Sequence, residues 1–158
     1  MSNDPFDPYV LLDALQRHRV DYILVGGLAR VIRGSSEIAD VVEIRADPAA
    51  DNLRRIGDAM REISTGQHTG TLHDGVRFET PHGPLLVTAP ERERDTQFTL
   101  LRGHASGERL GPNLHVRVAR HDDLARELDL AGNERTLRHA IEMRGLERRL
   151  ERTFDLGR

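Results

Sequence analysis

Residues 22–47, YILVGGLARVIRGSSEIADVVEIRAD, decide how the rest of the chain reads. Tyr22–Val25 is a nearly all-apolar run rich in branched side chains and closed by Gly26 and Gly27, the pattern of a short buried strand running into a tight turn. Leu28, Val31 and Ile32 then recur at helical spacing, and Gly34 marks the end of that helix. From Asp40 the pattern alternates, which places Val42 and Ile44 on one strand face and Val41, Glu43 and Arg45 on the other. The local order is strand, Gly-Gly, short helix, Gly-Ser, strand.

On the N-terminal side, residues 1–7 form a polar, flexible lead-in, and Pro8 opens a helix that Asp7 caps and that ends near His18. On the C-terminal side, PAADNLRRIGDAMREI carries Leu53, Ile56, Ala59, Met60 and Ile63 on one helical stripe. Ser64 to Gly75 is polar and turn-rich. VRFETPHGPLLVTA reads as a hairpin around Pro81, His82 and Gly83, and PERERD as a charged loop. The weakly patterned segment up to Gly111 supports no assignment. LHVRVA alternates as a strand, RHDDLARELDLA is a helix burying Leu124, Leu128 and Ala131, and residues 134–154 continue as a helix broken near Gly145. The fold class is α+β: a small mixed sheet flanked by helices, with a helical C-terminal tail, in a single domain over residues 8–158.

A length of 158 residues suits one domain with its own core. The formal charge of −3 gives no global reason to expect nucleic acid. Arg135, Arg138, Arg144, Arg148, Arg149 and Arg152 in the tail are interleaved with Glu134, Glu142, Glu147 and Glu151, which describes a solvated helix and supports a nucleic-acid face only weakly. Every basic residue is arginine, in keeping with a GC-rich coding bias, so lysine-dependent chemistry is excluded. The absence of cysteine excludes disulfides, thiolate nucleophiles and Cys-based zinc sites. No apolar run approaches the ~20 residues that span a bilayer, and the N-terminus lacks a signal-peptide pattern; the chain reads as cytoplasmic, with no membrane partner.

The series YILVGGLARVIRGSS plus a strand, together with the helix ahead of it, HGPLLV, and LHVRVARHDDLARELDLAG, resembles the nucleotidyltransferases of the polymerase-beta superfamily. The likeness points to their small bacterial branch that includes abortive-infection toxins. It implies a small mixed sheet flanked by helices and a chemistry in which two metal ions assist transfer of a nucleoside monophosphate from a triphosphate. Two carboxylates at alternate positions of one strand hold both ions, and a third stands on a neighbouring strand. Magnesium requires hard oxygen ligands, and in-line displacement requires both the entering and the leaving oxygen to be neutralised.

Matched to that pattern, the first two acids fall on Val41 and Glu43, or one residue earlier on Asp40 and Val42, and the third falls on Leu86. Either frame loses a ligand. Asp40 and Glu43 converge only if a bulge separates them. Glu37 and Ala39 stand where an arginine and a threonine are usual, and Leu128 where a basic residue is. The candidate catalytic residues are therefore Glu43 and Asp40, with no confident metal ligand. Gly26, Gly27, Ser35 and Ser36 are the nucleotide-binding candidates, through backbone amides and hydroxyls. Glu43 and Arg45, two apart on one face, are read as an ion pair. Of the histidines, His68, His73 and His82 lack the spacing of a common zinc site, and His121 with Asp122 and Asp123 marks a helix start.

The expected function is that of a pseudoenzyme: a nucleotidyltransferase fold acting as a binding or regulatory partner, in a toxin–antitoxin or defence setting. A protein partner or self-association is expected, nucleotide remains an option, and no cofactor is required. The alternative is an active transferase using Mg2+ with a rearranged site of Asp40, Glu43 and Glu79, the last sharing a strand face with Arg77.

Overall fold

A computed structural model of the chain describes residues 6–65, 68–72, 75–89, 95–131 and 141–146. Helix α1 (Pro8–Arg17) begins where expected: Asp7 accepts the Tyr9 N–H at 3.1 Å and Pro8 sits in the first turn. His18 is its C-cap. The Arg19 N–H then donates to Gln16 O and the Val20 N–H to Leu15 O, both at 3.0 Å, the double closure of a Schellman motif. The left-handed position of that motif is usually glycine. Here it is Arg19, at φ +56°, the one non-glycine residue with positive φ among those described.

Seven strands follow from the alternating and apolar segments: β1 (Tyr22–Val25), β2 (Val42–Ala46), β3 (His68–Thr71), β4 (Gly75–Phe78), β5 (Leu85–Thr88), β6 (Ser106–Gly111) and β7 (Leu114–Val118). Between and after them lie α2 (Gly26–Ile32), α3 (Ala50–Ile63), α4 (Asp95–His104) and α5 (His121–Ala131). The strands make one mixed sheet in the order β3-β4-β5-β2-β1-β7-β6. β1 is antiparallel to β2 and parallel to β7, β2 is parallel to β5, and the remaining pairs are antiparallel.

The register puts Leu24, Ile44 and Val87 in line across β1, β2 and β5, all buried, against a core that includes Leu11, Leu15, Ile56 and Met60 from α1 and α3. Full burial of each such side chain is worth about 1.5–3 kcal/mol. A one-residue slip of β2 would exchange Val42, Ile44 and Ala46 for Glu43 and Arg45 in that core, so the alternation fixes which face carries the charged pair.

Four expectations are corrected. The lead-in is anchored through its last two residues, since the Asp7 N–H donates to His82 O at 2.8 Å and Phe6 packs on Gly83, where a Cβ would collide with its ring. The polar stretch after Ser64 contains β3, which becomes a strand by pairing with β4 rather than by any pattern of its own. The unassigned segment holds α4 and β6. Finally, the helix described at residues 141–146 runs through Gly145 without a break. The other arginines of the tail, and the PERERD loop up to Arg94, lie outside the described residues. No helix among the described residues is long and apolar enough to cross a membrane.

Candidate functional site

The turn after β1 is built around two carboxylates. Gly26 takes φ +73°, and a Cβ there would strike the Glu43 carboxylate and lie 2.9 Å from the Glu43 Cβ. Glycine is what lets Glu43 lie against the turn. A Cβ on Gly27 would lie 3.1 Å from Glu37 Oε1. Glu37 is gripped by the Arg30 fork, Nε to Oε2 and Nη2 to Oε1 at 2.8 Å each, and accepts the Ser35 hydroxyl at 2.8 Å. Ser36 gives its N–H (3.0 Å) and hydroxyl (3.2 Å) to Glu142 Oε1. The four residues expected to receive a phosphate, Gly26, Gly27, Ser35 and Ser36, are thus met by three of the protein's own carboxylates.

Across the sheet Val25 pairs with Glu43, Glu43 with Leu86, and Leu86 with Arg77, so these four side chains emerge on one face. Arg45 follows on that face. Its Nη2 donates to Glu127 Oε1 of α5 at 2.8 Å, which corrects the expected Glu43–Arg45 pair: Glu43 feels Arg45 through space while the hydrogen bond goes to the helix above. Arg45 Nε is buried and has no hydrogen-bond partner among the described residues. Glu43, Arg45, Arg30, Thr88, Glu127 and Leu128 contribute to the walls of a cavity of about 350 Å³. Burial pushes the Glu43 carboxyl above the usual range, with Arg30 and Arg45 opposing. Burial likewise pushes Glu127 up to about 7, with Arg45 opposing and the Glu43 charge adding.

No other candidate acid joins Glu43. Asp40 is exposed ahead of β2, Val41 occupies the bend before the strand, and the ladder from Val42 to Ala46 runs without the register shift that a bulge would introduce. Glu79 lies beyond β4, engaged by Arg77 Nε at 2.6 Å. Among the described residues no group of three or more His, Cys, Asp or Glu is placed to hold a metal ion. His121 does open α5, where it is buried with Nε2 3.1 Å from Arg33 O, and burial lowers its pKa; His73 lies outside the described residues.

No protein-family model and no curated protein matches the chain. Solved structures do. An antigenic nucleotidyltransferase-like protein from Paracoccidioides brasiliensis superposes with a TM-score of 0.57 at 16% identity, covering 85% of this chain and 72% of the other. The antibiotic-resistance factor ANT(2″)-Ia gives 0.61 at 12% identity, over 94% and 91% of the two chains. A Thermotoga maritima protein provisionally assigned as a nucleotidyltransferase gives 0.58 at 11%, over 96% and 91%. The chain has a nucleotidyltransferase-like fold. At these identities the likeness is one of fold alone.

Within this nucleotidyltransferase-like fold, the cavity beside Glu43 is not the most spacious one. A cleft of about 550 Å³ lies between α3 and the β3–β4 hairpin, walled by Leu53, Ile56, Met60, Leu72, Val76 and Phe78 among others. None of its residues belongs to the glycine turn. The smaller cavity is the one beside the glycine turn, where the sequence singled out Glu43, the two glycines and the two serines but not Arg30 or Glu127. The nearest signal for Glu127 was its adjacency to Leu128, a position matched for a missing basic residue.

Proposed function

We propose that this chain is a catalytically degenerate nucleotidyltransferase-fold protein that works as a binding or regulatory partner and needs no metal cofactor. The observation that carries the reading is the neighbourhood of Glu43, whose in-register partners are Val25 and Leu86, with Leu128 on the cavity wall. A single carboxylate among such neighbours lacks the oxygen set that two hard cations share. The Arg45–Glu127 pair and the Arg30–Glu37 pair occupy the space and charge balance of the site instead. A triphosphate entering without metal would meet Glu37, Glu43 and Glu127, which disfavours it.

A protein partner, or a second copy of the chain, suits the surface next to this site. The Ser36–Glu142 hydrogen bonds join the loop after α2 to the helix at residues 141–146, and each segment exposes an isoleucine: Ile38 is 93% and Ile141 71% exposed. Pairing with an active relative, in a defence or toxin–antitoxin setting, is the biological context proposed here.

The test is transfer itself. The full chain, incubated with each radiolabelled nucleoside triphosphate in Mg2+ or Mn2+, is expected to label neither itself nor added acceptors, and Glu43→Gln is expected to behave identically. Metal-dependent labelling that Glu43→Gln abolishes would instead establish an active enzyme with a rearranged site.

A further inference from the structure

At the opposite end of β1 from the glycine turn, a second polar cavity of about 410 Å³ opens between the end of α1, α4 and β7. Arg19, Arg102, Arg117 and His115 line it with a single carboxylate, Asp21. Arg102 Nη1 approaches Asp21 Oδ2 at 3.0 Å, and Arg117 Nη1 stands 3.9 Å from Oδ1. Three guanidinium groups therefore line a cavity with one acid, which two of them approach, in a chain whose formal charge is −3. The guanidinium of Arg19 has no hydrogen-bond or ion-pair partner among the described residues. Gln16, also on the wall, is committed elsewhere: its Nε2 donates to Asn113 O at 2.6 Å and its Oε1 accepts the His115 N–H at 2.9 Å, which ties the β6–β7 turn to α1.

Arg19 is the informative member. It holds the left-handed C-terminal position of α1, where glycine is sterically easiest and arginine is strained. Closing the helix does not require a guanidinium, yet the position delivers one to the rim of a cavity already short of negative charge. The surplus of two positive charges matches a phosphate monoester, close to a dianion at neutral pH, and planar guanidinium forks suit its oxygens. A cavity of this volume falls at the small-molecule end of the range for ligand sites.

We propose that this cavity binds the phosphate group of a small phosphorylated molecule, independently of the site beside Glu43. Calorimetric titration of the full chain with glycerol 3-phosphate, with glycerol at the same ionic strength as control, tests it. Saturable binding of glycerol 3-phosphate and none of glycerol is expected, weakening as salt rises. Arg117→Gln and Arg19→Gly are each expected to weaken it by roughly tenfold or more, the loss of one charged hydrogen-bonding partner. Arg19→Gly also separates binding from folding, because glycine relieves the left-handed strain and the variant should melt no lower than the parent. Asp21→Asn, which removes the competing carboxylate, should tighten binding. Absence of saturable binding, or an unchanged affinity in either arginine variant, would overturn the proposal.

Discussion

Glu37→Ala is expected to destabilise the fold by about 3 kcal/mol, the low end of the cost of removing one partner from a buried ion pair. Its side chain is only 8% exposed and that of Arg30 13%. The substitution strips the Arg30 fork of both its 2.8 Å bonds and the Ser35 hydroxyl of its acceptor. The loss falls toward the low end because Arg30 already feels the Glu43 charge and can turn to it. For a chain of this size that is a drop in Tm of roughly 6–12 °C. Replacing both partners, as Arg30→Leu with Glu37→Leu, should restore much of it, since no uncompensated buried charge remains. Thermal and urea unfolding of the three proteins measures the effect. The comparison asks whether the carboxylate beside Gly27 has become a structural element of the turn.

The second large effect is one of pH. In the fold Glu127 titrates at about 7 instead of the ordinary 4.5, chiefly because it is buried, with Arg45 opposing and the Glu43 charge adding. Its folded-state pKa lies above the unfolded one, so the folded protein keeps a proton that the unfolded chain releases. The associated stability is fully present below about pH 4.5 and is lost as pH rises through about 7. The gap between the two values corresponds to about 3 kcal/mol. Glu127→Gln removes this titration. Parent and variant, unfolded in urea at pH 5 and pH 8, should differ such that the parent loses roughly 2–3 kcal/mol more than the variant across the interval, the rest of the gap having been lost below pH 5. The Glu43 carboxyl, raised by burial as well, acts with the same sign, so the double variant with Glu43→Gln should be flatter still. Equal slopes in parent and Glu127→Gln would mean that the Arg45–Glu127 pair is as well solvated as a surface one.

What could be read from the chain was what local pattern controls. The parity of β2 followed from alternation alone and placed Glu43 and Arg45 together on the face that carries the site. The Gly-Gly turn, the β4–β5 hairpin and the cap of α1 by Asp7 each have a short-range cause and each was legible. The sheet margins were not. β3, with the sequence HTGT, has no apolar side chain to alternate, and it is a strand because β4 offers it a ladder. β6, SGERLG, lies at the other edge with none of its residues buried, so burial imposes little pattern on it.

At the site the same divide appears. Arg45 had a plausible partner two residues away, and the choice of Glu127, 82 residues on, is a matter of where α5 is packed. The folding of Glu37 back onto Arg30, seven residues earlier, depends on the path of the loop between Gly34 and Asp40. Neither is written in spacing. The serines, expected to donate to a phosphate, give their hydroxyls to Glu37 and Glu142.

In the function proposed above, the carboxylates of this nucleotidyltransferase-like fold hold no pair of divalent cations. Calorimetric titration of the full chain with Mn2+, alone and with ATP, addresses it most directly. No saturable Mn2+ binding and no metal-dependent heat for ATP are expected, in the parent and in Glu43→Gln alike. Saturable Mn2+ binding that strengthens with ATP and disappears in Glu43→Gln would contradict it and identify Glu43 as a working ligand.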